Sequence, residues 1–132
     1  MLIPELDVSD VAVSVGFYAL VGFDVAYERT EEGFAFLACS RARLMLQRAD
    51  GPGRRFRTAP LEQPFGRGIN LQLEVADVDD VHRRVVAAGH PIVVELEERW
   101  YRVGAAEVGH RQFVVADPDG YLLRPFTPLG PA

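Results

Sequence analysis

The chain contains no lysine: all fourteen basic residues are arginine. It has one cysteine, Cys39, one tryptophan, Trp100, and three histidines. A single cysteine cannot form an internal disulfide, and the thiol count suits a reducing cytoplasm. No apolar run approaches the roughly 18 residues of a membrane span. The first residues, Met1 to Asp7, carry neither a basic nor a long apolar region, so a secretory signal is not expected. Nineteen acids against fourteen bases leave a net charge of −5. With no basic stripe, nucleic acid and anionic membranes are poor partners.

What is present is ordinary globular material. The 132 residues are 48% hydrophobic and 25% charged, enough for one core without a disulfide or metal staple. Leu2–Val8 reads as a strand, with Pro4 marking an edge. Ser9 or Asp10 caps a helix to about Leu20, burying Val11, Val15, Phe17, Tyr18 and Val21, and Gly22 stops it. Strands follow over Phe23–Arg29, Phe34–Cys39 and Arg43–Arg48, with a turn at Thr30–Gly33. Between Ala49 and Gly68, proline, glycine and arginine exclude regular structure, and a loop of that length is expected to be functional.

The second half repeats the first. Ile69–Ala76 reads as a strand, and Asp77 caps a helix that buries Val78, Val81, Val85 and Val86 before Gly89. Pro91–Leu96 is extended, a polar loop holding Trp100 and Tyr101 follows, and Arg111–Ala116 and Tyr121–Thr127 are strands around the turn Asp117-Pro118-Asp119-Gly120. A shift of 67 positions brings Leu6 onto Leu73, Val8 onto Val75, Asp10 onto Asp77, Val11 onto Val78 and Gly22 onto Gly89. A shift of 77 brings Phe36 onto Phe113, Leu46 onto Leu123 and Gln47 onto Arg124. The expectation is an α+β fold in one domain, residues 1–132, of two βαβββ modules (1–50 and 68–127) joined by the loop 51–67.

Ile3-Pro4-x-Leu6, Val8-Ser9-Asp10, Phe17-Tyr18, Val21-Gly22-Phe23, Val75-Ala76-Asp77-Val78, Ala88-Gly89 and Asp117-Pro118-Asp119-Gly120-Tyr121 together resemble the vicinal oxygen chelate superfamily, the glyoxalase/bleomycin resistance/dioxygenase fold. Pro4 and the run Gly109–Pro118 look most like the bleomycin resistance proteins. The resemblance implies a half-open, barrel-like cleft. It also implies a homodimer, with the first strand exchanged between chains near Pro4.

The metal-dependent members of that superfamily hold a divalent ion with His, Glu or Gln from the first and last strand of each module. The resemblance places those positions at Ile3, Gln47, Asn70 and Arg124. Isoleucine has no lone pair, and arginine offers only donors and a positive charge. Gln47 and Asn70 are weak neutral oxygens, whereas hard cations want carboxylates and zinc wants imidazole or thiolate. His82, His90 and His110 lack partners at ligand spacing and read as packing or exposed residues. The expectation is therefore no catalytic residue, no metal and no cofactor. Cys39 reads as packing, Glu95, Glu97 and Glu98 as a solvated run, and Gly51-Pro52-Gly53 lacks the context of a phosphate loop.

Aromatic residues in an acidic protein suit flat cationic ligands. Candidate ligand contacts are Trp100, Tyr101, Phe36, Phe65 and Phe113, with Asn70, Gln47 and Arg124 on the cleft floor. Phe34 and Phe56 belong to the same aromatic set. Arg124 is expected to point inward and pair with Glu5 or Glu74. The reading is a small-molecule binder that sequesters an aromatic, bleomycin-type drug without catalysis. The alternative is a metal-dependent lyase or oxygenase with a shifted ligand set of Gln47, Asn70 and Glu5 or Glu74.

Overall fold

The computed structural model describes residues 1–130. In chain order the elements are β1 (Glu5–Val8), α1 (Val11–Val21), β2 (Asp24–Arg29), a helical turn (Thr30–Glu32), β3 (Phe34–Cys39) and β4 (Ala42–Arg48). After the central loop come β5 (Asn70–Glu74), α2 (Val78–Ala87), β6 (Ile92–Val103), β7 (Ala106–Ala116) and β8 (Leu122–Pro128). They form two four-stranded sheets, ordered β1-β4-β3-β2 and β5-β8-β7-β6. In each, the first strand runs parallel to the last, and the remaining pairs are antiparallel. The expected α+β repeat of βαβββ modules is the observed architecture.

Both helices begin where a carboxylate can take a free first-turn N–H. The Asp10 side chain accepts from Val13 N at 3.2 Å, and Asp77 from Asp80 N at 3.2 Å. α1 ends at Gly22, whose φ of 112° is the left-handed conformation that a side chain resists. α1 packs on β2, β3 and β4, α2 on β6, β7 and β8, and the two helices pack on each other. The helices thus lie between the sheets. One core joins Phe17, Tyr18 and Val21 to Leu37 and Leu46 of the first sheet, and Val78, Val81 and Val85 to Phe113 and Leu123 of the second. Val86 is 48% exposed, because it falls off the three- and four-residue spacing that carries its neighbours inward.

The Asp117–Gly120 turn ties the second module to the first. Tyr18 Oη donates to Asp117 Oδ2 at 2.7 Å. Asp119 accepts from the Ser9 amide at 3.0 Å, from the Ser9 hydroxyl, and from Gln63 at 2.8 Å. Tyr121 Oη donates to the Asp7 carbonyl at 2.9 Å. Burial pushes the Asp117 carboxyl above its usual range. Burial, then Asp117 itself, holds the Tyr18 phenol well above its usual range.

The polar stretch around Trp100 is a strand rather than a loop. β6 runs twelve residues and β7 eleven, so the pair extends past β8 as a two-stranded arm. Exposure on both sides removes the alternation that marks a half-buried strand, which is why the sequence pattern fades there. The strand expected from Leu2 begins at Glu5, although the Pro4 carbonyl already accepts from Met45 N at 2.9 Å. β1 pairs with β4 of its own chain.

Candidate functional site

With the helices between the sheets, one face of each sheet turns away from the core, and side-chain alternation decides what it shows. In β8, Leu123 and Pro125 face inward, so Leu122, Arg124 and Phe126 face outward. Register places Asn70, Gln72 and Glu74 of β5 beside these three. In β7, Phe113 and Val115 face the core, so Gln112, His110 and Val108 share the outer face. Tyr101 pairs with Val108 and Glu97 with Gln112, so both join that face. His110 stacks on Phe126 with ring centres 4.1 Å apart. Gln72, Tyr101, Val103, Val108, His110 and Arg124 enclose a cavity of about 150 Å³.

The outer face of the first sheet is aromatic and acidic. Phe34 and Phe36 of β3 lie beside Gln47 and Met45 of β4, which lie beside Asp7 and Glu5 of β1. Tyr27 stacks on Phe36 at 5.0 Å, with the planes 10° apart. The Arg29 guanidinium sits 4.0 Å above the Phe34 ring. Gln47 Nε2 donates to Asp7 Oδ1 at 2.9 Å, and Arg57 of the central loop donates to Asp7 Oδ2 at 2.9 Å. The loop therefore closes down on one end of this face. Phe65 packs edge-on against Tyr121, and both line a cavity of about 370 Å³ with Asp7, Arg57, Phe56 and Arg67. Burial pushes the Tyr121 phenol up to about 12.

Several sequence expectations change on this frame. Trp100 and Tyr101 are neighbours in one strand, so they point to opposite faces. Tyr101 is on the outer face, whereas Trp100, 40% exposed, lies over Gly109 on the helix side of the arm. Phe113 is fully buried against His82 in the core and lines no cleft. Arg124, expected to point inward, lies on the outer face opposite Leu123, and its partner is an amide. Arg124 Nη2 donates to Gln72 Oε1 at 3.1 Å, and Glu5 and Glu74 are not involved.

The repeat also needs a register correction. β1 pairs with β4 forty residues on (Glu5 with Met45), and β5 with β8 fifty-two residues on (Asn70 with Leu122). Keeping the 67-residue shift for the first strands makes the shift for the last strands 79. Arg124 then corresponds to Met45 rather than Gln47. Leucines facing the core at every second position hide a two-residue slip, because either shift matches apolar to apolar.

Asn70 begins β5 and lines an apolar cavity of about 310 Å³ with Leu2, Pro4 and Leu44. Gln47 is instead held by Asp7 on the other sheet, so the structure does not join Gln47 and Asn70 in one ligand set. Among the described residues, no three His, Cys, Asp or Glu side chains are grouped so that they could hold a metal ion. A divalent ion does not fit the family positions present here. Ile3 has no donor atom, Arg124 is a cation, and Met45 offers only a thioether. His82 and His90 pack edge-on against Phe113 and Phe17, and burial pushes the Cys39 thiol up, so all three read as packing residues. The sequence reading missed Gln72, His110, Gln112 and Tyr27. Counting by twos from Arg124 and Phe36 along paired strands finds them, but only once the register is known.

The paired modules, open sheets and outward polar-aromatic faces define a vicinal-oxygen-chelate-type fold. The model of the glyoxalase/bleomycin resistance protein/dioxygenase superfamily matches residues 4–124, and the chain belongs to that superfamily. It is 31% identical over 130 residues to a bleomycin resistance protein of Geobacillus stearothermophilus, covering 92% of this chain and 91% of the relative. A bleomycin resistance protein of Staphylococcus aureus matches with the same identity and coverage. Among solved structures, TioX from Micromonospora sp. ML1 superposes with a TM-score of 0.74 at 23% identity, covering 97% of this chain and 98% of that one. The bleomycin resistance determinant encoded on transposon Tn5 gives a TM-score of 0.60 at 20% identity, with 96% of each chain covered. At these identities the structures establish the fold. No described helix is long and apolar enough to cross a membrane.

Proposed function

We propose that the protein binds a flat aromatic drug of the bleomycin type and protects by sequestration, with no bond broken. The observation that carries this reading is the pair of outer sheet faces. One shows Tyr27 stacked on Phe36, with Glu5 and Asp7 two strands away across Met45 and Gln47, and the other shows Tyr101, His110, Phe126 and Arg124. In a single chain the two faces point away from the shared core. A second copy would set one face opposite the other, so the reading includes a homodimer with two clefts. Similarity to curated bleomycin resistance proteins over nearly the whole chain supports the ligand class. The donor set at Ile3, Met45, Asn70 and Arg124 supports binding over metal-assisted chemistry. Glu5 on the first face suits the cationic part of such a drug, whereas Asp7 is already paired with Arg55 and Arg57, and stacking contributes about 0.5–2 kcal/mol per ring.

The test is calorimetric titration with metal-free bleomycin, alongside survival of an expressing host. Saturable binding at micromolar drug with raised resistance is expected. An unchanged signal together with unchanged sensitivity would exclude this ligand.

A further inference from the structure

Two amides on the outer face of the second sheet, the exposed Gln72 and the buried Gln112, are each oriented by a charged neighbour. Arg124 is a pure donor, so the Gln72 atom it meets at 3.1 Å must be the oxygen. The Gln72 amide nitrogen then faces His110 Nδ1 at 3.2 Å and donates to it. A ring nitrogen that accepts carries no proton, so the neutral imidazole holds its proton on Nε2. The second relay has the opposite sign. Glu97 is a pure acceptor, so the Gln112 atom at 3.1 Å must be the nitrogen. The same nitrogen donates to Tyr101 Oη at 2.7 Å, which leaves the phenolic proton free. Gln112 is only 3% exposed, and this orientation satisfies its nitrogen twice while leaving its Oε1 buried without a partner.

His110 and Tyr101 lie side by side, ring centres 5.5 Å apart, in the wall of the cavity of about 150 Å³. Arg124 lines the same cavity, and its Nε is buried without a partner. Glu97 lies beside Gln112 on the same face but outside the lining of the cavity. Val103 and Val108 supply the apolar side. The volume is that of roughly five waters, enough for a carboxylate and the edge of a ring.

We infer that Tyr101, His110 and Arg124 form a subsite that offers donors only, and that it takes a carboxylate borne on a small flat ring. This deepens the proposed function, since the subsite would be the floor of the same drug cleft. A ligand would then bind with its oxygen acceptors toward Arg124 and its cationic end toward Glu5, since Asp7 is already paired with Arg55 and Arg57.

The experiment uses the full chain labelled with nitrogen-15. Long-range proton–nitrogen spectra read the His110 tautomer directly. The expected result is the Nε2–H form in the wild type and a mixture of forms in Arg124→Leu, where Gln72 is released. Benzoate and benzylamine are then titrated separately at up to tens of millimolar. Benzoate should shift the His110 and Tyr101 resonances saturably, and benzylamine should not. Tyr101→Phe and His110→Phe should each weaken benzoate about tenfold or more, the loss expected for one hydrogen bond to a charged group. An Nδ1–H tautomer in the wild type, no response to benzoate, or an equal response to benzylamine overturns the subsite. Benzoate binding without bleomycin binding would retain the subsite and sink the drug reading. The reverse would sink the subsite alone.

Discussion

Trp100 is seated on Gly109 of the neighbouring strand. A methyl group at Gly109 would stand 2.8 Å from three carbons of the indole ring. The two residues are register partners in the β6–β7 arm, and the bare glycine gives the ring a flat place to lie. Gly109→Ala should therefore lift the indole off the strand. Trp100 is the chain's one tryptophan, so intrinsic fluorescence reports only this contact. The variant should show a red-shifted emission maximum, with the thermal midpoint lowered by a few degrees at most. An unchanged spectrum would mean that the ring is not held there.

The Tyr18–Asp117 hydrogen bond should be a large contributor to module docking. Tyr18→Phe leaves a buried carboxylate oxygen without that donor and should cost about 1–3 kcal/mol. Urea unfolding at neutral pH measures it. A loss below a few tenths of a kcal/mol would show that the turn docks without this bond.

Asp117 also sets a pH dependence. Burial raises its folded-state pKa above the unfolded value. The folded chain therefore holds the proton more tightly, and that stabilisation is complete below the ordinary carboxylate pKa of about 4. It is lost as pH rises through the folded-state value. Asp117→Asn does not titrate, yet it keeps an oxygen for the Asp119 and Tyr121 amides and a group for Tyr18. Its stability should fall less than that of the wild type as pH is raised from about 4 toward neutrality. Parallel stability curves for the two proteins would remove Asp117 as the cause.

Much of this architecture was readable before any coordinates. Asp10, Gly22 and Asp77 act locally, within a turn of the helix, so their effect is visible from spacing alone. The Asp117–Gly120 turn was equally legible, although its docking through Tyr18 and Ser9 joins residues about a hundred positions apart and no local rule encodes it. The β6–β7 arm was not legible, because a ribbon exposed on both faces has no hydrophobic alternation to read. The site suffered most from register. Arg124 was found from its distance to Gly120, but its partner Gln72 and its counterpart Met45 depend on strand pairing.

Arg124→Glu should convert a donor into an acceptor beside Gln72 and His110. Divalent zinc or nickel uptake is expected to rise, and bleomycin affinity to fall about tenfold or more. Elemental analysis after dialysis and a drug titration measure the two effects. If wild type already holds stoichiometric metal, or if the variant changes neither property, Arg124 is not the group that decides what this face accepts.

A homodimer should form, because a single chain leaves both aromatic faces uncovered. Light scattering at low micromolar concentration should give twice the 14.6 kDa of the chain. A single species of 14.6 kDa would remove the second wall of the proposed cleft.

The most direct measurement is calorimetric titration with metal-free bleomycin, followed by mass analysis of the recovered drug. The account predicts one drug molecule bound per chain at micromolar affinity or tighter, and a drug of unchanged mass after prolonged incubation. Absence of heat and of saturation, or recovery of a chemically altered drug, would contradict it.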